Sequence, residues 1–158
     1  MIHYSTMIAV DIDRYTVGVF KDVAWAQKGL AALKTLGLPA DVFTILAKES
    51  PDVAPLFTEH AGGPGELMDV AGLGPVLARG PLVTLLQGQT RDLERRGVAG
   101  TMNRAGYQRH DGQIYEKLTE RGGILVAIQS EPRAADALAI LLSYGGGNAA
   151  IGAWTGRV

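Results

Sequence analysis

Phe20–Gly37, "FKDVAWAQKGLAALKTLG", returns 108 residues later as Ile128–Gly145, "IQSEPRAADALAILLSYG". Asp22 aligns with Ser130, Ala26 with Ala134, Leu30 with Leu138, Ala31 with Ala139, Leu33 with Leu141 and Gly37 with Gly145. Each copy reads as one helix. Asp22 and Ser130 are N-cap residues, because a side-chain oxygen there accepts from the unpaired amides of the first turn. Pro132 stands early in its helix, where a missing amide costs little. Gly37 and Gly145 stand at the C-terminal stop, which favours a left-handed residue.

Working outward, "YTVGVF" (Tyr15–Phe20) and "DVFTILA" (Asp41–Ala47) flank the first copy, and "GILVAI" (Gly123–Ile128) and "AAIGAW" (Ala149–Trp154) the second. The first three are rich in β-branched and aromatic residues and read as strands. Two β-α-β units with right-handed crossovers result. They predict an α/β (α+β) fold: a ferredoxin-like βαβ–βαβ sandwich of four antiparallel strands with both helices on one face. A small doubly wound sheet is the alternative. With 158 residues the chain reads as one domain. Its parts are an N-terminal arm (1–13), a first unit (14–47), a helical Gly/Pro-rich insertion (48–109), and a helix with the second unit (110–158).

Within the insertion, Asp52–His60 and Pro81–Arg96 predict helices. "AGLGPVLARGPL" (Ala71–Leu82) reads as a spacer that turns the chain so that Pro81–Leu86 can pack. "RHDGQIYEKLTERGG" then predicts a helix with Asp111 as its cap. Ile114, Tyr115 and Leu118 share its apolar face, and Gly122 is its stop.

Three stretches carry a family resemblance: "TVGVFKDVAWAQKGLAALKTLGLPADVFTILA" (Thr16–Ala47), "GLGPVLARGPL" (Gly72–Leu82) and "YEKLTERGGILVAI" (Tyr115–Ile128). The chain resembles the bacterial general stress proteins of the 17M type over about Thr16–Tyr144. The resemblance implies a ferredoxin-like body and a cytoplasmic, stress-associated role. It brings no catalytic residue.

Composition removes several function classes. There is no cysteine, so thiol catalysis, disulfides and thiolate metal sites are excluded. The net charge of −1 gives no electrostatic footprint for nucleic acid. The N-terminus lacks the basic start and long apolar run of a signal peptide. Ala137–Gly156 is uncharged and long enough to span a bilayer, but Gly145–Gly147 interrupt it. No membrane span is expected, and the location expected is cytoplasmic.

Gly72-x-Gly74 begins like a dinucleotide fingerprint, but Leu77 fills the third position, where close packing needs Gly or Ala. "GGGNAA" (Gly145–Ala150) has the spacing but follows a helix, the reverse of the required context. Arg79, with Gly72, Gly74 and Gly80 around it, is the candidate contact for an anionic small molecule, or else a solvated turn arginine. His60, His110, Glu59 and Asp111 lack metal-ligand spacing, and neither a metal nor a cofactor is expected. "HDGQIYE" offers acid–base groups, which cap and dipole roles explain more simply. Arg91, Arg95, Arg96, Arg104 and Arg109 are interleaved with acids and have only Tyr107 as a stacking partner, which argues against nucleic acid.

The strongest functional signal is surplus apolar surface. Val23, Ala26, Leu30 and Leu33 form a sheet-facing stripe. Trp25, Gly29, Ala32 and Leu36 form a second one, matched in the repeat by Ala137, Ile140 and Tyr144. A helix apolar all round is covered on two sides. The cover is either the insertion or a second molecule. Trp25, Leu36, Ile140, Tyr144 and Trp154 are the interface candidates. The function expected is non-enzymatic: self-association, making a homo-oligomer, or docking to a protein partner. A small-ligand regulatory module, with its site at the Gly-rich insertion or a subunit interface, is the alternative.

Overall fold

A computed structural model describes residues 15–129 and 133–146. The expected N-terminal arm, the Ser130 cap, the Ala149–Trp154 strand and Trp154 lie outside them. Among the described residues the chain is mixed α/β, with a five-stranded antiparallel sheet and six helices. The strands are β1 (Tyr15–Phe20), β2 (Phe43–Lys48), β3 (Glu66–Val70), β4 (Gly74–Arg79) and β5 (Ile124–Gln129). The helices are α1 (Val23–Lys34), α2 (Ala54–His60), α3 (Pro81–Gln87), α4 (Asp92–Ala105), α5 (Arg109–Glu120) and α6 (Ala134–Ser143).

The sheet order is β1-β5-β2-β4-β3. β5 lies between β1 and β2 and is antiparallel to both, with Phe20 opposite Ile124 and Phe43 opposite Ile128. The strands of the first β-α-β unit are therefore parallel to each other and split by β5.

Side chains alternate along each strand, so each face of the sheet has its own core. On one face Phe20, Phe43, Ile45, Ile124, Val126 and Ile128 pack under α1, α2 and α6. On the other, Val17, Val19, Leu46, Val76, Leu125 and Ala127 pack under α3, α4 and α5. Both repeat helices thus lie on one face, as expected. They are antiparallel neighbours: Arg133, at the start of α6, donates to the Leu36 carbonyl beyond the end of α1 at 2.8 Å. At the other end, Gly146 meets the Phe20 ring. Asp22 caps α1, accepting from the Trp25 amide at 2.9 Å. Gly37 and Gly145 have φ of 81° and 77°, as their stop positions require.

The insertion corrects the sequence reading in three places. First, it is not purely helical: β3 and β4 form a hairpin that widens the sheet beside β2. "AGLGPVLARGPL" is the turn of that hairpin, the whole of β4 and the start of α3. Leu73 N–H closes the turn on Val70 O at 2.9 Å, with Gly72 at φ 85°. Pro75 hid the strand, since proline argues against an interior position. It is tolerated because the ladder between β2 and β4 ends at Lys48–Val76, one residue short of it.

Second, Pro81–Arg96 is not one helix. The chain breaks after Gln87, where Gly88 takes φ 56°, and α4 is itself interrupted at Gly97, with φ 83° and ψ 176°. Third, α3 does not cover α1 or α6. It packs on the opposite face of the sheet through Leu82, Val83 and Leu86.

Candidate functional site

The four ligand candidates separate. Gly72 and Gly74 sit at the hairpin turn, whereas Arg79 and Gly80 end β4, roughly 17 Å away at the usual rise per strand residue. At the turn, the nearest atom to a Cβ built on Gly72 would be a Glu116 carboxylate oxygen, 3.2 Å away. A carboxylate at that point opposes anion binding.

At the other end, Arg79 is exposed, and three backbone carbonyls fix its guanidinium. Its Nε donates to Ala61 O at 2.8 Å, and its two terminal nitrogens donate to Pro64 O and Gly62 O, both at 3.4 Å. The loop "AGGPG" (Ala61–Gly65) wraps this guanidinium. A Cβ on Gly63 would stand 2.9 Å from it, and one on Gly65 would meet Phe57 at 2.9 Å. Gly80 has φ 130°, and a Cβ there would lie 2.4 Å from the Thr44 backbone. Buried Thr44 in turn accepts from the Leu82 amide at 2.9 Å, holding the start of α3 against β2.

Beside this clamp is an open cleft of about 530 Å³. Its lining includes Gly62, Pro64, Pro81 and Thr84, and its charged residues are Asp41, Glu66 and Arg79, all three exposed. Arg79 makes no ion pair with a carboxylate among the described residues. Asp41 and Glu66 were not singled out by sequence, because nothing local joins a turn before β2 to the first residue of β3.

The interface candidates divide too. Trp25 is 40% exposed, with Lys28 Nζ 5.0 Å from its ring centre. Leu36, Ile140 and Tyr144 are half-buried against the core between α1 and α6. Gly29 and Ala137, assigned to the outward stripe, in fact face inward. A Cβ on Gly29 would meet Phe20 at 2.4 Å, and Ala137 is fully buried. The outward face of α6 consists of Ala135, Asp136, Ala139, Leu142 and Ser143, with Leu142 45% exposed. Sequence reasoning missed Leu142; its 135–139–142 helical spacing was the available signal. Because α1 and α6 are antiparallel, Trp25 and Leu142 fall at the same end of the pair. On the hairpin, Leu67 is 63% exposed.

The titratable groups hold structure together. His60 is 4% exposed and shares a hydrogen bond with Gln27 Oε1 at 3.0 Å; its Nδ1 is buried without a partner. Burial pushes the imidazole below its ordinary value, Lys34 adds to this, and Glu59 opposes it. His110 is on α5, across the sheet from His60, so the two histidines are not brought together. Among the described residues no His/Asp/Glu group could hold a metal ion.

Three of the five arginines of the expected basic group converge on Asp92. Arg95 and Arg104 bond it directly, and Arg96 approaches to 3.9 Å. Hydrogen bonds from Thr90 and Arg104 hold its carboxyl down at about 2, against burial. Arg91 pairs with Glu94 at 2.7 and 3.0 Å. Asp111 lies inside the first turn of α5 and Gln108 holds the cap position. Glu116 accepts from the Ala99 amide at 2.9 Å, capping the part of α4 beyond Gly97.

Among the described residues no helix is long and apolar enough to cross a membrane. No protein-family model, curated protein or solved structure matches the chain.

Proposed function

We propose that the chain is a non-enzymatic association module that self-associates, or docks on a protein partner, through the outer face of α1 and α6. Its body is ferredoxin-like: the split β1-α1-β2 unit around β5 is one half of that arrangement. The other half calls for a strand beside β1 from Ala149–Trp154, outside the described residues. A cytoplasmic, stress-associated role follows from the resemblance to the 17M-type general stress proteins.

One observation carries this reading. The exposed positions of α6 are Ala135, Asp136, Ala139, Leu142 and Ser143; those of α5 are Arg109, His110, Gln113, Lys117 and Glu120. A solvated helix puts charge on its outer face, as α5 does. The outer face of α6 carries one charge where that of α5 carries several, and an exposed tryptophan and leucine lie at one end of the α1/α6 pair; low charge with an aromatic anchor is the compositional signal of an interface core. Burying it gains roughly 25 cal/mol per Å² of apolar surface before the costs of association.

Light scattering across a concentration series tests the proposal. The molar mass should rise above that of the single chain, and Leu142→Glu should return it to the monomer, with a melting temperature equal to that of the wild-type chain at dilutions where both are monomeric. A strict monomer, with no mass change from Trp25→Glu or Leu142→Glu, would rule self-association out.

A further inference from the structure

We infer that the cleft at the Arg79 end of β4 binds a small zwitterion of the α-amino-acid class. The cleft and the α1/α6 face share no residue, so each stands or falls alone.

Arg79 has five N–H donors and spends three of them on the carbonyls of Ala61, Gly62 and Pro64. Carbonyls are neutral, so they fix the guanidinium without cancelling its charge. Two donors remain on a cation that three carbonyls hold in the cleft wall. Such a preorganised planar group suits a carboxylate. The other charged walls are Asp41, on the short 3-10 turn Ala40–Val42, and Glu66, at the start of β3. Neither carboxylate makes a hydrogen bond or ion pair among the described residues; the more distant Arg91 and Glu66 only attract each other.

Three charges therefore face one cleft without pairing with each other. A simple anion would meet two carboxylates, and a simple cation would meet a guanidinium. A molecule carrying an ammonium beside a carboxylate satisfies both signs. The volume of about 530 Å³ lies in the small-ligand range, and Pro64 and Pro81 add apolar lining beside the charges.

The test is calorimetric titration of the full chain with glycine, L-leucine, L-glutamate and L-lysine, and with acetate and n-butylamine as the two separate halves. At least one amino acid should bind saturably where neither half binds. The Asp41→Asn/Glu66→Gln double variant leaves the Arg79 clamp in place and should weaken that binding by roughly tenfold or more, as loss of a charge-assisted contact does. Acetate or butylamine binding as tightly as the amino acid would overturn the assignment. So would undiminished binding by the double variant, or no saturation by any amino acid up to about 10 mM, a level near the weakest specific affinities.

Discussion

α5 and α6 are both surface helices packed on the same sheet from opposite sides, and they meet solvent in opposite ways. α5 buries Gly112, Tyr115, Leu118 and Thr119 and turns arginine, histidine, glutamine, lysine and glutamate outward. α6 buries Ala137 and Leu141 and turns alanine and leucine outward, relieved by Asp136 and Ser143. The sheet supplies each with a comparable apolar floor, so folding alone does not demand the difference. A helix that needs only one dry side needs only one apolar stripe. Among the described residues the outer side of α6 exposes Ala135, Ala139 and Leu142, in the layer that also exposes Trp25.

Polar contacts follow the same division. The α3/α4/α5 layer is laced by Asp92 with its arginines, Arg91 with Glu94, and Glu116 with the Ala99 amide. Across the sheet the main polar set is Gln27, Lys34, Glu59 and His60, at the seam of α1 and α2 and away from α6. On the outer side of α6, Arg133 pairs with Asp136 near its start and Ser143 bonds back to the Ala139 carbonyl, and Ala135, Ala139 and Leu142 lie between them.

The largest effect should come from the α1/α6 core. Phe20 is fully buried, and its ring fits against Gly29 on one helix and Gly146 beyond the other. Phe20→Ala should cost about 3–5 kcal/mol, measured by denaturant unfolding. A cost below about 1 kcal/mol would mean that the two helices are not joined through this ring. Next is the opposite layer: Glu116→Ala removes the cap of an interrupted helix and should cost about 1–2 kcal/mol in the same assay.

Acid separates the layers. His60 has a lowered value in the folded state, so its contribution is full above the ordinary 6.5 and is lost as pH falls below that. The Asp92 carboxyl is also lowered, so its contribution is full above 3.8 and lost only as pH falls toward about 2. A stability–pH curve should therefore bend first below 6.5, and His60→Gln should remove that bend while leaving the acid limb. If the bend survives in the variant, it comes from another group. The smallest effect on stability should be at the exposed α6 face itself, where Leu142→Glu should change it by no more than about 0.5 kcal/mol.

Much of this architecture was legible because the two repeat copies carry their own punctuation. Asp22, Gly37 and Gly145 mark helix ends by local chemistry, and all three do what their types predict. The hairpin was not legible, because Gly74 and Pro75 dilute a strand whose pairing partner is set by tertiary contact. The break at Gly88 was missed because an apolar run continues into a charged one without a proline. Arg79 shows the limit for the site. Sequence marks an isolated charge among glycines, but only the fold reveals that the glycines of another loop are wrapped around it. Gly29 was misassigned because a glycine adds nothing to a hydrophobic stripe; its reason is the ring pressed against it.

The central claim is that Trp25 of α1 and the Ala135–Ala139–Leu142 stripe of α6 are covered by a second molecule. Trp25 reports on it directly once Trp154→Phe leaves it as the only indole. Its fluorescence should shift to the blue and lose accessibility to acrylamide as protein concentration rises, and Leu142→Glu should abolish both changes. Trp25 emission and quenching that stay constant across the concentration range would contradict the account.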